Sequence, residues 1–172
     1  MDERFPIGRF EEQPFSLNQK EEWLFSISEL PSRLEYALLN LDEEQLKTPY
    51  RKGGWTVQQV VHHLADSHMN AYIRFKLALT EDTPVIKPYN QDAWSKFSDN
   101  DLPVNISLTL LHALHRRWTV LLNSMNDEDF NNELIHPEHE KKMTLWFLLG
   151  NYAWHGLHHT AHITCLRERR GW

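Results

Sequence analysis

One segment constrains the fold more than any other. Residues 145–167, LWFLLGNYAWHGLHHTAHITCLR, hold no Pro and no run of Gly. Leu145, Leu148, Leu149, Tyr152, Gly156, Ile163 and Leu166 recur every three or four residues. That spacing predicts a single long helix with one apolar stripe, closing at Gly171. Four of the chain's eleven histidines, His155, His158, His159 and His162, fall in eight residues of it. At ~100° per residue, His159 lies near the centre of the stripe and His155 on its edge. His162 lies slightly further round, and His158 faces away.

Residues four apart on a helix share a face, one turn above the other. Two inward imidazoles in that relation can grip one ion, since His N to Zn²⁺ is ~2.0–2.1 Å. A lone inward His is most often a core residue bonded to backbone or water. The inward pair His155 and His159, with further His beside it, points instead to a metal. A third ligand has to come from elsewhere in the chain.

Three further helices follow from the same periodicity. The first runs from Ser16 to about Leu41, with Ser16 and Gln19 placed for a capping box and Pro31 predicting a kink or break. The connector 42–50 has room for one helical turn. The second helix follows Gly53-Gly54-Trp55, with Thr56 and Gln59 as a capping box, and reaches about Thr80. His62, His63 and His68 lie on it. By angle alone His68 sits in the apolar stripe, which leans the third ligand toward His68; the partly apolar far side leaves His62 and His63 open. Residues 81–105 form a long connection broken by Pro84, Pro88 and Pro103, with a short helix expected near 91–97; a connection this long usually lines a site or an interface. The third helix covers about 107–124, and its His112 and His115 read as solvent-side or interfacial. Glu133–Ile135 and Lys142–Thr144 can pair as a small hairpin. Four long amphipathic helices give an all-α, antiparallel-type four-helix bundle with long connections.

Composition narrows the class. A chain of 172 residues, 41% hydrophobic with seven Trp, suits one globular domain. A net charge of −6 with no basic patch disfavours nucleic acid. The single cysteine, Cys165, excludes an internal disulfide. The N-terminal text lacks the apolar core of a signal peptide, and no apolar run approaches the ~18–20 residues of a membrane span. The expected setting is the cytosol.

The text Gly54-Trp55-Thr56-Val57-Gln58-Gln59-Val60-Val61-His62-His63-Leu64 resembles the W-S/T-x-x-E/Q-x-x-x-H-L pattern of the DinB/YfiT-like superfamily of metal-binding bundles. His155-Gly156-Leu157-His158-His159 resembles its H-x-x-H-H. Phe5-Pro6-Ile7-Gly8, Thr48-Pro49-Tyr50-Arg51 and Ala65-Asp66-Ser67-His68-Met69-Asn70 are similar to the Bacillus-type YfiT branch. The resemblance implies an up-down-down-up four-helix bundle, a homodimer, and one divalent metal per subunit, zinc first and nickel second. It implies the ligand set His63, His155 and His159, choosing His63 over the His68 that periodicity favours.

Three imidazoles leave positions for water or substrate, as in catalytic rather than closed structural sites. Such an ion lowers the pKa of water toward ~7, or holds a thiol as its nucleophilic thiolate. Two activities follow on a small-molecule substrate. One is metal-dependent hydrolysis, the label commonly attached to the YfiT-like group. The other is thiol S-transfer with a low-molecular-weight thiol such as bacillithiol, which the resemblance implies. No Glu lies between His155 and His159, which disfavours a metalloprotease of the H-E-x-x-H kind, and the want of an evident general base leans toward thiolate chemistry. Asp66 could orient a ligand ring, and His162 could support the site or carry protons. Asn70 and Arg74 could meet an anionic substrate, and Trp94 and Tyr152 could wall a pocket. The contrasting class is a bundle whose metal is structural and serves dimerisation or partner binding.

Overall fold

The structure, a computed structural model, describes residues 2–138 and 141–172. In chain order the elements are α1 (Leu17–Leu38), α2 (Glu43–Leu46), α3 (Val57–Thr80), α4 (Gln91–Trp94), α5 (Val104–Ser124), β1 (Glu133–His136), β2 (Lys141–Thr144) and α6 (Leu145–Arg170). The four long helices make a bundle, and β1 and β2 form the expected antiparallel hairpin.

Local chemistry sets the helix ends. Thr56 and Gln59 complete a reciprocal capping box, and so do Asp42 and Gln45. At Ser16 only half a box forms. Ser16 accepts from the Gln19 backbone N–H, while the Gln19 side chain turns to Glu22. Gly171, at φ 71°, closes α6 in the left-handed conformation that favours glycine.

Of the kink or break expected at Pro31, the break is corrected. The chain stays helical through it, from Leu17 to Leu38. A proline removes the N–H that would bond the carbonyl four residues back, here that of Ile27. That carbonyl instead accepts from Nδ1 of His115 on α5, at 2.6 Å. A bond between helices replaces the one lost within the helix.

Cross-helix contacts give the direction of each helix. Ile27 meets His115 and Glu35 meets His112, so α1 and α5 are antiparallel. His62 meets Ser107 and His68 meets His115, so α3 and α5 are parallel. His63 meets His155 and Arg74 meets Tyr152, so α3 and α6 are antiparallel. With α1 taken as up, the order is up-down-down-up. Parallel α3 and α5 also explain the long connection 81–103. It must return along a 24-residue helix, ~36 Å at 1.5 Å per residue.

The core has two apolar layers. One gathers Phe75, Trp118, Phe130, Leu145 and Leu149; the other gathers Leu30, Leu34, Val60, Leu64 and Ile163. The inward histidines lie between these layers. Among the described residues, no helix is long and apolar enough to cross a membrane.

Candidate metal centre

His63 comes from the second turn of α3, held in place by the Thr56 cap below it. His155 and His159 come from the middle of α6. The three rings offer ligand nitrogens that lie within 4.8 Å of one another. Nε2 of His63 is 3.3 Å from Nε2 of His155. Two nitrogens each ~2.1 Å from one ion, at a tetrahedral angle, stand ~3.4 Å apart. Among the described residues, Nδ1 of His159 is buried with no hydrogen-bonding partner, as are those of His158 and His162. The donor set therefore fits a divalent metal. Among the described residues, no Cys, Asp or Glu joins the group.

Burial sets the protonation of this cluster. It holds His63 down at about 4, with the charge of Asp92 opposing the shift. His155 and His159 lie well below the ordinary imidazole value, first through burial and then through the neighbouring rings. Metal binding requires neutral imidazole, and these rings are neutral at physiological pH. The indole of Trp55 packs on the cluster, with ring centroids 4.6 Å from His63 and 6.4 Å from His159. Its signal was present in the sequence, directly before the α3 cap.

The remaining histidines have other partners. His68, favoured by periodicity, is fully buried, but its Nδ1 faces His115 Nε2 at 3.0 Å and its Nε2 faces His155 Nδ1 at 3.2 Å. His62 is buried too, bonded to Ser107 Oγ and to the Leu102 carbonyl. The solvent-side reading of His115 is corrected: it is 1% exposed, because α5 packs against both α1 and α3. His112 is exposed and meets Glu35. His158, read as facing away from the stripe, is covered by Phe5 of the lead-in and by Trp154. His162 stacks on Tyr50 at 3.9 Å, 5.5 Å from the His159 ring, and burial pushes it down to about 3.

Asp66 lies one turn beyond His63. Among the described residues, its carboxylate makes no hydrogen bond to a ligand ring. Burial raises it to about 6, and the charge of Asp99 adds to this. Arg74 donates to the hydroxyl of Tyr152 at 2.9 Å, and Asn70 donates to the Asp66 carbonyl. Trp94 packs on Tyr89 at 4.3 Å. The first turns of α3 pin the long connection, since Gln59 bonds the Ser95 carbonyl and Gln58 those of Asn100 and Leu102. A groove of about 800 Å³ between α2, α3 and this connection is lined by Thr56, Gln58, Phe97 and Val104, among others, and by none of the three imidazoles.

Comparison with known proteins agrees with the fold. The sequence profile described as the DinB superfamily matches residues 26–163. A protein of Bacillus cereus strain B4264, named "Putative metal-dependent hydrolase", is 52% identical over 173 residues, covering 99% of each chain. A Bacillus thuringiensis subsp. konkukian protein of the same name is 52% identical over 172 residues, again covering 99% of each. The solved structure of YfiT from Bacillus subtilis, described as "a probable metal-dependent hydrolase with an unusual four-helix bundle topology", superposes with a TM-score of 0.97. It is 48% identical, and the match covers 100% of this chain and 99% of that one. The chain belongs to the DinB superfamily, in its YfiT-like branch.

Proposed function

We propose that this protein is a metal-dependent hydrolase of a small molecule, with His63, His155 and His159 holding one divalent ion. The observation that carries the reading is the convergence of three neutral imidazoles with no fourth protein donor among the described residues. A three-ligand site keeps positions open for reactants, whereas structural sites close at four. Zinc is the first expectation and nickel the second, because imidazole suits both. When bound, such an ion lowers the pKa of water or holds a thiol as thiolate. The chain's own residues orient the site and exclude bulk water, with Trp55 covering two of the ligand rings. Asp66, raised to about 6 beyond His63, has the pKa of a general base working near neutrality. The names of the relatives support hydrolysis.

A second activity, S-transfer from a low-molecular-weight thiol such as bacillithiol, is favoured by the donor set itself. Three neutral imidazoles leave the full positive charge of the ion, which attracts an anionic thiolate. We read the working unit as a cytosolic homodimer.

The test starts from metal content. Protein purified without added metal is expected to carry about one divalent ion per chain. His63→Ala, His155→Ala and His159→Ala are each expected to lose it while keeping helical circular dichroism. Esters, amides and bacillithiol with an electrophile are then assayed with each protein. Turnover of any that vanishes with the metal supports catalysis and separates the two reactions. Unfolding on metal loss, with no turnover by the loaded protein, assigns the ion a structural role.

A further inference from the structure

Outside the three proposed ligands, the bundle contains a continuous chain of groups that ends on one of them. It begins at Pro31. Lacking an N–H, Pro31 leaves the Ile27 carbonyl without its partner in α1. That carbonyl meets His115 Nδ1 at 2.6 Å. His115 Nε2 meets His68 Nδ1 at 3.0 Å, and His68 Nε2 meets His155 Nδ1 at 3.2 Å. The remaining nitrogen of His155, Nε2, faces His63.

A carbonyl only accepts, so the first link has one polarity: His115 Nδ1 carries the proton. A neutral ring has one N–H and one lone pair, so His115 Nε2 accepts. His68 Nδ1 must then donate, which leaves His68 Nε2 as acceptor. His155 Nδ1 must donate in turn, which leaves His155 Nε2 with a bare lone pair. His68 and His115 are 0% and 1% exposed, between Trp118, Tyr152 and each other. At this burial the uncharged form of each is favoured.

We propose that Pro31, through the freed Ile27 carbonyl, and the rings of His115 and His68 are positioning residues that lock His155 in the Nδ1–H tautomer, so that its Nε2 is presented to the metal. This rests on the metal-site reading above and deepens it. Hydrogen bonds to the second nitrogen of a ligand imidazole are a general means of fixing its tautomer and orientation. Here the fixed point is a backbone carbonyl, two rings and one helix removed from the site. The proline that sequence analysis reads only as a helix breaker becomes the origin of the polarity.

The test has a readout that needs neither substrate nor activity. Long-range ¹H–¹⁵N correlation spectra of the metal-free protein at pH 7.5 report the tautomer of each ring. His115, His68 and His155 are expected in the Nδ1–H form, and His155 as Nε2–H overturns the proposal. Zinc affinity is then measured by competition with a chromophoric chelator. His115→Phe touches no proposed ligand and is expected to bind zinc ~10–100-fold more weakly, the usual cost of removing such support. Pro31→Ala restores an N–H that competes for the Ile27 carbonyl. It is expected to raise the thermal midpoint of the metal-free protein while weakening zinc binding. A merely structural role would move both in the same direction, and wild-type affinity in both variants overturns the proposal. Should His115→Phe fail to fold, the wild-type spectrum and Pro31→Ala still decide. Wild-type protein that shows the expected tautomers but binds no metal removes the metal-site reading and leaves the tautomer chain standing.

Discussion

The indole of Trp23 lies directly over the Cα of Gly150. A Cβ built there would fall 2.5 Å from the ring. This close approach sets the spacing of parallel α1 and α6, and hence of the layer that holds the histidines. Gly150→Ala gains ~1 kcal/mol of helix propensity. The rigid indole also packs against Trp146, with ring centroids 4.4 Å apart. Overpacking of this kind costs ~1–3 kcal/mol or more. The variant is expected to unfold at lower denaturant than wild type, with Trp23→Leu recovering part of the loss. Gly156→Ala meets the flexible end of Leu30 at 2.7 Å and is expected to cost less.

Metal removal should separate fold from site. The bundle has a full apolar core on both sides of the histidine layer. Chelator-treated protein is therefore expected to keep its helical circular dichroism. Adding zinc back is expected to raise the thermal midpoint with metal concentration, the unfolding free energy gaining ~2.7 kcal/mol at a hundredfold excess over the dissociation constant.

Acid should destabilise the metal-free protein through its buried histidines. Burial holds His63, His115 and His158 at about 4 and His162 at about 3. In the unfolded chain they take up protons near 6.5; in the folded chain they do not until about 4. The unfolded state thus binds more protons in this window, and stability falls with pH. It is at its plateau above pH 6.5 and is lost as pH drops toward 4. Asp66, raised to about 6, acts in the opposite sense but is outnumbered. Urea midpoints at pH 7.5 and pH 5 check this: the pH 5 midpoint should be clearly lower.

Asp66→Asn should stabilise the protein most at pH 8, with a gain that shrinks as pH falls from about 6 toward 3.8. Its carboxyl is raised from 3.8 to about 6. The folded state is therefore penalised most once that group ionises in it, and the penalty fades as pH falls from about 6 to 3.8, where the unfolded carboxylate also takes up its proton. The gain at pH 8 is expected on the order of 1 kcal/mol, allowing for solvent screening. If Asp66 serves as general base, the same variant loses activity while gaining stability.

Much of this architecture was legible in the residues. The four long helices, the Thr56 capping box, the turn at 43–46 and the hairpin follow from spacing and caps. The inward pair His155 and His159 follows from angle, and the structure brings it together with His63. The choice among the α3 histidines did not follow from periodicity, which favoured His68. The helix turns one flank to α5 and another to α6, so all three are buried: His62 against α5, His63 against α6, and His68 between the two. Resemblance to the family singled out His63; a stripe calculation does not.

The sequence by itself determined where helices start and stop, and that α6 carries two imidazoles on one face. Those are local matters of caps and of the 3.6-residue repeat. Only the tertiary structure decided that His115 is buried, that Pro31 leaves α1 unbroken, and that the Ile27 carbonyl is satisfied from another helix. Periodicity describes one face of an isolated helix. Burial and hydrogen-bond partners depend on how many helices surround it and in which direction each runs.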